Sequence, residues 1–350
     1  MPRLTSLALL LAVVALAGCG SDEETTAPTT TAPGATTEPA EQVRVGLITD
    51  LGQLDDNGFN ELAFRGLQRA EKELGIKGRV VESAAAADYV PNMTSLARQG
   101  YDLIIGVGFA QGDAIGKAAQ RFPDTKFAII DVDQAFVPGK PDNVQGLLFR
   151  EEEVGYLAGY LAGLQEKRRE GKDVISAVGG MKEPPVDRFI AGYFAGAEKS
   201  DPGVTLLHDY SQDWDDQAKC KELALNQIAR GSNVVFQVAG GCGLGALNAA
   251  GERGRWGIGV DADQSFLGDH ILTSAQKGVD SAVFLTIEAV QDGSWQGGGN
   301  ATFGLKEDGV GLGKVSPDVP EEDVAKVEQI KTMIADGEIS GIPTEVGSAK

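Results

Sequence analysis

From Val43 onward the chain alternates short apolar strands with amphipathic helices, and no other feature constrains its fold as tightly. Candidate strands cover residues 43–49, 78–83, 102–108 and 126–131. After the segment NVQGLLFR the rhythm resumes at 173–180, 204–210, 233–239 and 256–261. These segments are rich in Val and Ile without clean polar–apolar alternation, the pattern of parallel strands covered on both faces. Between the first two, Phe59, Leu62, Ala63, Gly66, Leu67, Ala70 and Leu74 fall on one face of a helix. Each of the two runs is the size of an ordinary domain of about 100–150 residues. The expected fold is α/β, two doubly wound parallel-sheet lobes with ligand groups at the carboxyl ends of the strands. A further helix at 281–290 and a strand at 301–305 complete sheets already begun, so the chain crosses between lobes more than once. The boundaries expected are 43–146 plus 264–299 for one lobe and 147–263 plus 300–350 for the other. No short fixed period is visible, which argues against a solenoid.

The N-terminus is of a different kind. Arg3 precedes an apolar stretch from Leu4 to Leu16 that ends in Leu16-Ala17-Gly18-Cys19. This is shorter than the ~20 apolar residues a membrane span needs and has the form of a secretory signal. Its ending resembles a bacterial lipobox, in which the cysteine, here Cys19, is lipidated and becomes the mature N-terminus. The other reading is an ordinary cleavage site beside an incidental cysteine, but the chain has only 3 cysteines and one stands here. Residues 1–19 are thus read as a lipoprotein signal peptide. Residues 20–42 are rich in Thr, Pro, Ala and Glu, cannot bury a core, and read as a disordered linker. Such a coil spans roughly 25 Å by the square-root rule, enough to hold a folded body clear of a bilayer. The net charge of −20 argues against nucleic acid, whose binding needs basic surface.

The turn after the first strand holds Asp50, Asp55, Asp56 and Asn57, with Phe59 opening the helix. Asp50 lies where an α/β sheet presents ligand contacts. Asp55, Asp56 and Asn57 are good helix caps, and capping alone is one reading of them. Phe59 is either a core aromatic or a pocket wall. SQDWDDQAKC repeats the design: a strand ends at Tyr210, a polar turn follows, and Trp214 stands before a helix. Two aromatics at equivalent turns of opposing lobes could sandwich a flat ring, or could be unrelated packing residues. In AGGCGLGALNAAGERGRWGIGVD, Gly241, Gly243 and Ala246 fit the dinucleotide fingerprint, with Asp261 at the next strand's end. An NAD-dependent oxidoreductase is therefore a rival hypothesis, weakened by an exported, lipid-anchored setting. The same glycines would allow close backbone approach to any ligand. The chain has 2 histidines, His208 and His270, and lacks a G-x-S-x-G turn, which weakens hydrolase readings. His208 reads as structural, and no metal-site spacing is present. Cys220 and Cys242 follow strand ends in the second lobe; an extracytoplasmic compartment permits a bridge between them, which the sequence leaves open.

Taken together, DLGQLDDNGFNELAFRGL, YDLIIGVGFAQGDAI, KFAIIDVD, GGMKEPPVDRFIAGYFAGA, SQDWDDQAKCKELA, VVFQVAGGCGLGAL, GIGVDADQ and LTSAQKGVDSAV resemble one family. It is the basic membrane protein family of ABC-transporter substrate-binding lipoproteins, with its PnrA-like, purine-nucleoside-binding branch. The segments span about Val43 to Val290. The resemblance implies a type I periplasmic-binding-protein fold, two Rossmann-like lobes joined by a hinge, with a nucleoside between them and no cofactor or catalysis. It implies that Phe59 and Trp214 stack on the base, and that Asp50, Asp131 and Asp261 serve base edges and ribose hydroxyls. It places Gly240 near the sugar, Lys277 at the ligand, and Asn60 within reach of the base. Two departures stand out: Cys220 replaces a residue commonly small or neutral, and the Asp261–Lys277 stretch is shorter than usual, so Lys277 also reads as a solvated lysine. The resemblance further implies a monomer that hands its ligand to an ABC permease and meets the membrane only through its lipid, on the extracytoplasmic face. A simple sugar or a flavin-like ring is the alternative ligand, and a sensory role the alternative to transport.

Overall fold

The computed structural model describes residues 42–52 and 54–347. Cys19 and nearly all of the linker lie outside them. The first run of elements is β1 (Arg44–Ile48), α1 (Phe59–Leu74), β2 (Lys77–Val81), α2 (Tyr89–Arg98), β3 (Leu103–Gly106), α3 (Gly112–Arg121), β4 (Lys126–Ile130) and β5 (Val144–Phe149). The second is α4 (Glu151–Glu166), β6 (Val174–Gly179), α5 (Pro184–Ser200), β7 (Thr205–Tyr210), α6 (Gln217–Ala229), β8 (Val234–Val238), α7 (Gly240–Glu252) and β9 (Trp256–Asp261). The chain closes with β10 (Ile271–Lys277), α8 (Val279–Asp292), β11 (Gly299–Phe303), β12 (Val310–Leu312) and α9 (Glu321–Ala335).

The strands form two sheets, ordered β11-β5-β4-β3-β1-β2 and β12-β10-β9-β8-β6-β7. Every pair is parallel except β10 with β12. Alternate strand residues feed separate cores, as a sheet covered on both faces requires. Leu103, Ile105 and Ile130 of the first sheet pack with Leu62 and Leu67 of α1 and Val283 of α8. Ile104, Phe127 and Ile129 pack on the other face with Met93 of α2 and Ile115 of α3. The expected face of α1 is the buried one: Leu62, Ala63, Gly66, Leu67 and Ala70 are all inside.

Three corrections to the boundaries follow from strand pairing. The division expected at 146/147 falls within β5, whose whole length pairs with β11. Residues 271–277, placed in the first lobe by the sequence reading, pair with β9 and belong to the second sheet. Residues 299–303, divided between the lobes by that reading, pair with β5 in the first sheet. The chain therefore passes between sheets at Arg150, Gly278 and Gly304. These passages lie side by side: Arg150 N–H donates to Phe303 O at 3.0 Å and Gly278 N–H to Gly309 O at 2.8 Å.

Candidate functional site

The strand ends of both sheets converge on one cavity. All eight ligand residues expected from the sequence line it: Asp50, Phe59, Asn60, Asp131, Trp214, Gly240, Asp261 and Lys277. The first sheet supplies Asp50 after β1 and Asp131 after β4; the second supplies Gly240 after β8, Asp261 at the end of β9 and Lys277 at the end of β10. Gln264 Nε2 donates to Asn57 O at 3.2 Å, which joins the two walls at the rim.

Asp56 caps α1. Its carboxylate accepts from the N–H groups of Gly58 at 2.8 Å, Asn60 at 2.9 Å and Glu61 at 3.2 Å, which satisfies orphan donors of the first turn. It also lines the cavity, so the turn is both cap and wall. Asp50 accepts from Tyr89 Oη at 2.6 Å and Leu51 N–H at 2.8 Å, both on Oδ1. Its Oδ2 lies beneath Gly108, where φ is +105° and a Cβ would stand 2.0 Å away; only glycine fits. Burial pushes the Asp50 carboxyl up to about 6, against the Tyr89 and Leu51 hydrogen bonds and with help from the Asp131 charge.

Lys277 is the centre of the charge distribution. Its Nζ donates to both oxygens of Asp131, at 2.7 and 2.8 Å, and lies 2.8 Å from Glu151 Oε1. It also stands over the rings of Phe149 at 4.9 Å and Phe59 at 5.2 Å. Burial opposes the ammonium, but Asp131, Glu151 and Asp261 outweigh it and hold the lysine above its ordinary range. The solvated reading of Lys277 is thereby excluded, since the side chain is 2% exposed. Asp261 accepts no hydrogen bond from the described residues. Burial lifts its carboxyl to about 7, opposed by Lys277 and reinforced by Asp56, Asp131 and Glu151.

Two groups escaped the sequence reading. Glu151 opens α4 as one of three acids in the helix first turn; its side chain is 1% exposed. The signal was the helix itself, apolar on nearly every face and therefore buried. Glu183, in the β6–α5 connection, lines the cavity and makes no side-chain hydrogen bond with the described residues. Burial and the charges of Asp50 and Asp131 push it up to about 7.

Other expectations change. Trp214 does not occupy the counterpart of the Phe59 turn: Phe59 follows the interior strand β1, whereas Trp214 follows the edge strand β7. The two fingerprint glycines differ: a Cβ on Gly243 would meet Gln237 Oε1 at 1.8 Å, so it serves packing, whereas Gly241 lines the cavity beside Gly240. His208 lies on the exposed side of β7, edge-on to Phe194 and Tyr210. Cys220 and Cys242 are disulfide-bonded, joining α6 to α7.

A family profile described as ABC transporter substrate-binding protein PnrA-like matches residues 43–343. This chain belongs to the PnrA-like family of ABC transporter substrate-binding proteins. The PnrA-like chain is 33% identical to the ABC transporter nucleoside-binding protein BmpA of Lactococcus lactis, over 95% of each. It is 36% identical to an uncharacterized lipoprotein of Pyrococcus horikoshii, over 77% of this chain and 68% of that one. An ABC transporter solute-binding protein from Aeropyrum pernix superposes with a TM-score of 0.79 at 29% identity, covering 87% of this chain and 94% of that structure. The fold of the PnrA-like protein is thus the type I periplasmic-binding-protein fold. Among the described residues no helix is long and apolar enough to cross a membrane.

Proposed function

We propose that this substrate-binding protein captures a purine nucleoside between its two sheets and delivers it to an ABC permease. The observation that carries the reading is the buried Asp261 carboxylate, which accepts nothing from the described chain and ends a strand beside the Gly240 backbone. A carboxylate so placed can accept both hydroxyls of a ribose diol, in charge-assisted bonds of the stronger class. Phe59 and Trp214 give the cavity aromatic surface for a planar base, where stacking contributes ~1–3 kcal/mol. Lys277 is already held by Asp131 and Glu151, so it offers little to an anion, and the cavity's uncompensated charge is negative. That favours a nucleoside over a nucleotide. The name of the Lactococcus relative agrees in ligand class. The Leu16-Ala17-Gly18-Cys19 sequence, together with the lipoprotein from Pyrococcus, supports a lipid anchor on the extracytoplasmic face. Native mass spectrometry of gently purified protein tests the ligand: a co-purified mass equal to a purine nucleoside is expected, and a hexose or flavin mass would overturn the reading.

A further inference from the structure

Resting on the nucleoside reading, the free groups at the Asp50 end of the cavity narrow the base. Asn60 Oδ1 accepts the backbone N–H of Asp50 at 3.1 Å, which fixes the amide and turns Nδ2, a donor, toward Gly52 on the cavity wall. Asp50 Oδ1 is saturated by Tyr89 and Leu51, so Oδ2 remains as an acceptor. Glu183, supplied by the other sheet, brings a second carboxylate with no hydrogen bond from the described residues. Asp50 and Asp131 repel the Glu183 charge, and among the described residues no cation partners it: the neighbouring Lys182 is taken by Asp187. An acceptor-rich pair without a cation calls for a neutral ligand that brings N–H donors.

These groups present, in order of identity, one donor and two acceptors. A 2-amino-6-oxopurine carries the complement on one edge: the O6 acceptor, the N1–H donor and the N2 amino donor. A 6-oxopurine without the 2-amino group fills only the first two. A 6-aminopurine presents a donor where Asn60 Nδ2 also donates and an acceptor where Asp50 also accepts. We propose that Glu183 is a specificity-determining residue that accepts from the 2-amino group and so selects guanosine over inosine and adenosine. Asp50 and Asn60 read the edge these oxopurines share, and the ribose lies toward Asp261.

Calorimetry on the full chain, freed of bound ligand by dialysis under mild denaturant and refolding, tests this with guanosine, inosine and adenosine. A hydrogen bond to a charged acceptor corresponds to about 10- to 100-fold in affinity, so guanosine should bind that much more tightly than inosine, with adenosine weakest. Glu183→Leu should bring guanosine down to the affinity of inosine and Glu183→Gln, which keeps a neutral acceptor, should fall between; both should leave inosine within about 3-fold, which also shows that the variants fold. Equal losses for guanosine and inosine, or inosine binding as tightly as guanosine to the parent protein, would overturn the role of Glu183. Failure of all three nucleosides to bind the parent would instead overturn the nucleoside reading itself.

Discussion

Two turns of this molecule share a sequence and differ in what they do. Asp131-Val132-Asp133-Gln134-Ala135-Phe136 follows β4, and Asp261-Ala262-Asp263-Gln264-Ser265-Phe266 ends β9; each strand is third in its sheet. In both the first aspartate takes a left-handed backbone, with φ of 70° and 63°. In both the second aspartate accepts the N–H two residues on, at 2.8 and 3.1 Å, an Asx turn that starts a short helical turn. The glutamine is buried in both and the phenylalanine exposed. Yet the Asp131 carboxylate is locked to Lys277, whereas the Asp261 carboxylate accepts no hydrogen bond from the described residues. The cause lies on a third strand. Gln276 pairs with Asp261 across β9 and β10, so Lys277 stands beside the Asp261 turn but sends its ammonium to the turn of the other sheet. The same backbone device thus aims two carboxylates into one cavity; one ties the sheets together and the other has no hydrogen-bond partner among the described residues.

The strongest way to break this asymmetry is to remove the cation. Lys277→Met leaves Asp131 and Glu151 buried without their ammonium. Removing one member of a buried pair costs about 3–5 kcal/mol, so urea unfolding at pH 7 should show a loss of that size. The loss should shrink at pH 5, where Glu151, which burial raises to about 7, takes up its proton. A loss below about 1 kcal/mol at pH 7 would mean that the pair contributes little and that Asp131 is as free as Asp261.

A smaller pair of effects should sharpen the contrast. Asp131→Asn removes one of two direct carboxylate partners of Lys277 and should cost roughly 1–3 kcal/mol of stability. Asp261→Asn should cost the ligand-free protein nothing or stabilise it, because it removes a desolvated charge, while weakening nucleoside binding about 10- to 100-fold. The pH dependence follows with a definite sign. Asp261 is raised from 3.8 to about 7, so the folded state binds its proton more tightly than the unfolded state does. Its contribution favours folding at low pH and is lost as pH rises from 3.8 toward 7 and beyond. The charges of Asp56, Asp131 and Glu151 reinforce that trend, and Lys277 opposes it. Thermal melts of the ligand-free Asp261→Asn variant should therefore depend less on pH over this range than those of the parent. Parallel pH profiles would show that Asp261 ionises freely in the empty cavity.

Nine of the strands were legible because runs such as Leu103–Gly106 must be apolar on both faces, and composition records that directly, whereas β5, β10 and β12 were not read as strands. Which sheet a late strand joins was not legible. Residues 271–277 and 299–303 are good strands wherever they pair, and only the hydrogen-bond partners decide. The eight cavity residues were reached through family resemblance and strand-end position together. Glu151 and Glu183 were missed for one reason: an acid at a helix start or in a loop looks solvated, and burial is a tertiary fact. The duplicated D-x-D-Q-x-F turn went unread because its copies lie far apart, outside any short-period search. The disulfide could only be left open, since proximity of α6 and α7 depends on Gly245, where a Cβ would meet Gln217 O at 1.9 Å.

The smallest effect expected comes from the last residue of each turn. Phe136 is 82% exposed and Phe266 63% exposed, so neither returns much buried area to the core. Phe136→Ser and Phe266→Ser should each leave unfolding free energy within ~0.5 kcal/mol of the parent. Nucleoside affinity by calorimetry should move by less than about 2-fold in both, because neither ring lines the cavity between the sheets. The two substitutions are nevertheless not interchangeable as controls. Phe266 borders a second cavity that also touches Asp261 and Lys277, and Phe136 does not. If Phe266→Ser alone weakened binding, the second turn would act on the ligand through more than its carboxylate. The difference between the turns could then no longer be assigned to the reach of Lys277. Equal and negligible effects would confine the asymmetry to the first residue of each turn, where the ion pair puts it.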